Sequence, residues 1–340
     1  MRVTIRQTVA LGLALSVTIA SLLSASPALA WGHQAHDAID RAAIAALPED
    51  GPTFLRGQAD FIATMSTIPD EWRSTSEPFG KLEEDPNHGW FRESFAFMKT
   101  VPRSRWEFLL ALHDENRRLA RTDPAAAAHI NVREAGVLAY AAIEQYDHLV
   151  TDMRLLRKAR AEGLTTQVTY LERICAEDAL RLGHYIGDGS QPLHITVNHN
   201  GWLGPNPHGY STDSEVHARF ETDLVKAMKL NADDVRRDMA PLAHQSGDTF
   251  ELILAYLNQS GDRMERVYQL DKRGAFKDGN DAEARALLHE RVGAGASMLR
   301  DLLARAWSEA ATTPPKPARD PFGPGHPAFN PETGSAPAPR

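Results

Sequence analysis

The sequence predicts an all-α protein built as a single multi-helix bundle. Three observations lead there. Apolar residues recur at three- and four-residue spacing through most of the chain after residue 31. No run alternates apolar and polar residues in the strand pattern. Nor does any segment repeat another.

The chain opens on a different pattern. Residues 1–30 read as a secretory signal peptide: Arg2 and Arg6 precede an apolar run too short for a comfortable membrane span, and Ala28-Leu29-Ala30 fits the small-residue cleavage rule. The competing reading is an uncleaved N-terminal anchor. Cleavage after Ala30 gives a mature chain that begins at Trp31, is secreted or periplasmic and has no transmembrane segment. Residues 31–312 then form the helical domain. It is long enough for a large core, with roughly 280 residues. Residues 313–340, rich in proline, read as a disordered tail.

Within the domain, "HDAIDRAAIAALPE" carries Ile39, Ala42, Ala43 and Leu47 in helical rhythm, and Pro48 ends it. A second helix starts near Ser104, with Phe108, Leu109, Leu112 and Leu119 on its apolar face. "NVREAGVLAYAAIEQYDHLVTDMRLLRKARAEG" is one long helix or two, ending at Gly163. The next opens on an N-cap threonine and closes at Gly187 to Gly189. Ser214 is a plausible cap for "SEVHARFETDLVKAMKL", and further helices run to residue 311. Two segments, 65–91 and 190–213, read as long polar loops, and long loops in a compact domain are usually functional.

Charge and cysteine content narrow the function classes. The chain carries a formal charge of −8, and residues 1–30 contribute +2, which leaves −10 for the rest. That balance argues against a broad polyanion-binding surface but not against a site charged by metal ions. Cys175 is the only cysteine, so no disulfide forms within the chain, and bound metal is a candidate staple.

The metal-ligand patterns are concentrated. In "GHYIGDGSQPLH", His184 and Asp188 stand four apart on a helix, and His194 follows Pro192. In "HARFE", His217 and Glu221 repeat the spacing. Either pair alone is also an ordinary solvated pair on a helix surface. Asp70 in "TIPDEWR" and His88 in "DPNHGWF" lie in the first polar segment, with Asp85 competing for the place of Asp70. A free α-amine at Trp31, with its own carbonyl, could chelate a metal beside His36.

These motifs together, "WGHQAH", "DPNHGWF" and "GHYIGDGSQPLH" followed by H-x-x-x-E, resemble the zinc-dependent phospholipase C and S1/P1 nuclease superfamily, in that family's order. The resemblance implies an all-helical fold with three zinc ions in a cleft between helices. It assigns Asp70, His88, His184 and Asp188 to one zinc. Trp31 and His36 go to a second, with Asp188 bridging, and His194, His217 and Glu221 to the third. It also implies a zinc-activated hydroxide attacking a phosphodiester in line, with Asp188 and Asp70 the catalytic carboxylates. The short interval from Trp31 to His36 looks like the nuclease branch, and Glu221 looks like the phospholipase branch. The expectation leans slightly to phospholipid, with single-stranded DNA or RNA as the alternative, and to a monomer. Trp90, Phe91, Trp202 and Tyr210 are the candidate rings for a base or a choline head group. A non-catalytic, secreted zinc-binding protein is the reading from another class. It requires His33, His199 or His208 to close the third site.

Overall fold

The computed structural model describes residues 31–243, 245–312 and 320–339. Residues 1–30, the expected signal peptide, and residues 244, 313–319 and 340 therefore lie outside the described residues. Among those described, the secondary structure is helical apart from one isolated bridge, Asn330 to Ser335. Among the described residues, no helix is long and apolar enough to cross a membrane.

Helix α1 (His33–Ala45) buries His36, Ile39, Asp40, Ala43 and Ile44. A short helix, α2 (Ile68–Ser74), starts with Pro69 in its first turn and buries Asp70. The long pair α3 (Leu138–Ala161) and α4 (Thr165–Ser190) pack against each other along much of their length. Helix α5 (Glu215–Ala218) runs directly into a π-helical turn, Arg219–Asp223. Two more helices close the bundle, α6 (Thr249–Gly261) and α7 (Ala282–Glu309), capped by Asp248 and Asp281, which accept from main-chain N–H groups of their first turns.

The chemistry of α4 changes along its length. From Cys175 onward nearly every residue is buried, because α1, α3, α6 and α7 all pack around that half. Its buried half therefore carries His184 and Asp188 into the middle of the molecule, where a polar side chain must find a partner or a metal.

Several expectations need correction. The segment 65–91 is not a structureless loop: it holds α2, a second short helix (Pro78–Glu84) and a 3₁₀ turn (Asp85–His88). Each is too short to leave a helical period in the sequence. Segment 190–213 likewise contains two 3₁₀ turns, Pro192–Ile195 and Val197–Asn200. Neither Thr165 nor Ser214 caps its helix through the side chain; Asp213 accepts from Glu215 N instead. Helix α4 continues through Gly187 and Gly189 to Ser190. The described part of the tail, 320–339, is folded as turns rather than free chain. Arg103 Nε donates to the Ala338 carbonyl, and its Nη2 donates to that of Pro339. The long "NVREAG…" segment is two helices: Val132–Ala135, then α3, broken at Gly136 with φ +70°.

Candidate metal centre

Helix α4 sets the frame of the site. His184 and Asp188 face the same side, as their spacing requires, and both are fully buried. His88 reaches them from a segment pinned on both flanks by the main chain. Val137 N donates to Pro86 O, Leu138 N to Gly89 O, and Trp90 N to His194 O. Gly136 is needed there, since a Cβ on it would lie 2.0 Å from Gly89 O.

His36 arrives from α1, which runs antiparallel to α4 at close range. Two glycines permit this approach. A Cβ at Gly187 would stand 2.7 Å from His36 Nδ1, and one at Gly183 would stand 2.5 Å from Asp40 Oδ1. Gly187→Ala should therefore push the imidazole off Asp188. Its expected result is loss of metal from the His36 group, with the His194–His217–Glu221 group retained, read as metal bound per chain.

Three buried side-chain groups could each hold a metal ion: Asp70–His88–His184, His36–His184–Asp188 and His194–His217–Glu221. Within each group the candidate ligand atoms lie within 4.8 Å of one another. Asp188 also lies close to both imidazoles of the first group. His88 Nδ1 is 3.1 Å from His184 Nε2, 3.0 Å from Asp188 Oδ2 and 3.6 Å from Asp70 Oδ1. His184 Nε2 is 3.4 Å from Asp188 Oδ2 and 3.9 Å from Asp70 Oδ1. Four ligands about 2.0–2.1 Å from a tetrahedral zinc sit roughly 3.3–3.4 Å apart, close to these separations. The other oxygen, Asp188 Oδ1, faces His36 Nε2 at 3.3 Å, so one carboxylate reaches two groups. In the third group, Glu221 Oε2 is 2.9 Å from His217 Nε2 and 3.9 Å from His194 Nε2.

Many of the polar atoms aimed inward lack a hydrogen-bond partner. Both oxygens of Asp70, His36 Nε2, Asp188 Oδ1, Glu221 Oε1 and Nε2 of His194 and His217 are buried without a hydrogen bond. So many orphans in one place suit a metal centre better than a folding core. Their outer sides are tied down instead. His184 Nδ1 faces the Ser66 carbonyl at 2.8 Å, His194 Nδ1 that of His88 at 2.6 Å, and His217 Nδ1 that of His199 at 3.1 Å. Glu84 Oε1 lies 3.2 Å from His88 Nε2 and accepts from the Tyr185 hydroxyl at 2.8 Å. Such outer partners fix imidazole orientation.

Electrostatics follow from the burial. Desolvation holds His184 and His194 well below the ordinary histidine range, in the neutral form that binds metal. Burial, then the neighbouring Asp188, push the Asp70 carboxyl up to about 7. Burial also opposes ionisation of Asp188, but the imidazoles around it, His184 and His194 first and then His36 and His88, outweigh it and hold that carboxyl well below its usual range.

The sequence-derived ligands fall as follows. His36, Asp70, His88, His184, Asp188, His194, His217 and Glu221 all come together. Asp85 does not: it lies 3.7 Å from Arg73 Nε and 3.5 Å from Arg133 Nη2, at the mouth of the cleft. Trp31 is buried beside the centre. Its Nε1 donates to Ser190 Oγ at 2.7 Å, and its ring packs on Phe220, next to Glu221. Glu221 itself sits in the π-helical turn, a distortion frequent at functional sites. Of the candidate closing histidines, none joins the third group. His33 is exposed, His208 packs on Tyr210, and His199 Nδ1 faces the Thr196 carbonyl at 3.3 Å. Sequence reasoning missed Glu84, Ser66 and Arg73, whose roles depend on approach across the fold.

A cleft of about 490 Å³ opens onto His88, His194 and His217, with Arg73 and Arg133 on its wall. Of the four candidate rings, only Phe91 lines it, stacked on His199 with ring centres 4.5 Å apart. Trp90 is core, packed on Phe95 and Phe108, while Trp202 and Tyr210 pack on each other and on Tyr268. No protein-family model matches the chain, and no curated protein matches it. The functional reading therefore rests on the centre itself.

Proposed function

We propose that the protein is a zinc-dependent phosphodiester hydrolase of the phospholipase C and S1/P1 nuclease type, exported and processed to begin at Trp31. The observation that carries this is the cluster of eight buried ligand side chains, many of whose inward atoms lack a hydrogen-bond partner, opening on a cleft with arginines on its wall. Five of those side chains are imidazoles, which suit zinc and other first-row metals, whereas calcium and magnesium take oxygen ligands. In this reading Asp70, His88, His184 and Asp188 hold one ion. His36, Asp188 and the Trp31 amine and carbonyl hold a second, and His194, His217 and Glu221 hold the third. Bound zinc supplies Lewis acidity, which makes water a nucleophile near neutral pH and neutralises charge on a phosphoryl oxygen.

The chain's own residues supply position and charge. Asp188 fixes the spacing of two groups by offering one oxygen to each. Arg73 and Arg133 place cationic groups where a phosphodiester enters. The third group has three protein ligands and opens on the cleft, which leaves room for substrate.

Between the two substrate classes, the sequence leans slightly to phospholipid. One observation supports the other, single-stranded nucleic acid. The cleft offers one flat ring pair, Phe91 on His199, which suits a stacked base, and the other candidate rings that would complete a choline cage are packed elsewhere. Mature protein offered phosphatidylcholine vesicles, single-stranded DNA and RNA, each with and without a chelator, tests both points. Chelator-sensitive hydrolysis of one class is the expected result. Hydrolysis indifferent to chelation, or of none of them, overturns the proposal.

A further inference from the structure

The site histidines differ in one respect. His184, His194 and His217 turn their outer nitrogen to a main-chain carbonyl, and His88 turns its own to Glu84. His36 alone among them turns its outer nitrogen, Nδ1, to no carbonyl or carboxylate, although it is fully buried. One turn further along α1 lies Asp40. It too is fully buried, and neither of its oxygens has a hydrogen-bond partner.

The two orphans face one side of α4, a turn apart. His36 Nδ1 presses on the glycine face of α4 at Gly187, and Asp40 Oδ1 presses on the same face at Gly183, one turn away. No side chain fills that face, because both positions are glycine. The neighbouring charges of α1, Asp37 and Arg41, are paired with each other on the outer side at 2.9 Å and do not serve Asp40. A buried carboxyl is costly without a donor, and a metal-binding imidazole is loosely held without an acceptor.

We propose that Asp40 is a positioning residue for the metal group of His36. Its carboxyl oxygen accepts the Nδ1–H of His36 through one bridging water, and thereby presents Nε2, the nitrogen that faces Asp188, unprotonated and correctly turned. The proposal rests on the metal reading of the site. It adds an outer partner that the i, i+4 spacing and the two glycines bring to the one site histidine lacking it.

Zinc binding by the full mature chain, measured by competition with a chromophoric chelator, tests this in four forms: wild type, D40L, H36A and the double variant. D40L is expected to weaken one zinc equivalent by about 10–100-fold, the usual cost of losing an outer-sphere partner. The metal-free melting temperature should not fall. In the H36A background, D40L should change zinc binding no further, because Asp40 acts through His36. Unchanged zinc affinity in D40L, or the same loss with and without His36, overturns the proposal. Wild-type protein that binds no zinc overturns the functional reading instead, so the two failures are distinguishable. Should D40L not fold, long-range proton–nitrogen spectra of the zinc-loaded wild type read the same point. His36 is expected as the Nδ1–H tautomer with a slowly exchanging proton, and the Nε2–H tautomer overturns the assignment.

Discussion

If the proposed function holds, Asp188→Ala is expected to abolish hydrolysis, by at least about a thousandfold, because it removes a carboxylate that faces two candidate metal groups rather than one. Asp188 Oδ2 lies 3.0 Å from His88 Nδ1 and 3.4 Å from His184 Nε2, while Oδ1 lies 3.3 Å from His36 Nε2. No other carboxylate among the described residues spans these groups, since Asp70 reaches only the first and Glu221 only the third. Zinc content should fall by two ions per chain, with the His194–His217–Glu221 ion retained. Asp188→Asn keeps the shape and removes the charge, and should lose nearly as much. Circular dichroism checks that the helices remain. Wild-type zinc content in the alanine variant would contradict the bridging role.

The second large effect concerns stability. Metal-free Asp70→Asn should be more stable than metal-free wild type at pH 8, and equal to it near pH 4. In the folded protein, burial and then Asp188 raise Asp70 to about 7, against the pull of His88, His36 and Arg73. In the unfolded chain it returns to the ordinary carboxylate range. Between those two values the folded state binds the extra proton, so the Asp70 contribution to stability falls as pH rises through that window. A shift of this size corresponds to about 4 kcal/mol once the group is ionised in both states. Asparagine does not ionise and escapes the loss. His184 and His194 tilt the curve the other way, but they are common to both proteins and cancel in the comparison. Denaturant titrations in chelator at the two pH values read the difference. Added zinc should reverse the order, because metal that binds only the folded state stabilises it. Equal stabilities at both pH values would mean that Asp70 is not the strained acid described here.

Much of this centre is legible in the sequence for a geometric reason. Helical spacing of four places His184 above Asp188 and His217 above Glu221 whatever the rest of the fold does. The bundle was likewise readable from the apolar period of its long helices. The outer ties were not. Ser66, His88 and His199 serve through main-chain carbonyls, which carry no residue signature. Asp40 carries no signal in the sequence, and only the close approach of Gly183 and its burial without a partner bring it out. The choice between Asp70 and Asp85 turned on α2, a seven-residue helix too short to show its period. Aromatic residues in polar segments misled in the other direction. Trp90, Trp202 and Tyr210 turn into packed clusters, since ring content alone says nothing about which way a ring points.

The most direct test of the whole account is metal analysis of the mature chain beginning at Trp31, coupled to hydrolysis of a phosphodiester substrate. The account predicts three zinc ions per chain, lost together with activity on chelation and regained together when zinc is restored. A folded mature chain that takes up no zinc, or that hydrolyses its substrate equally well without it, would contradict the account.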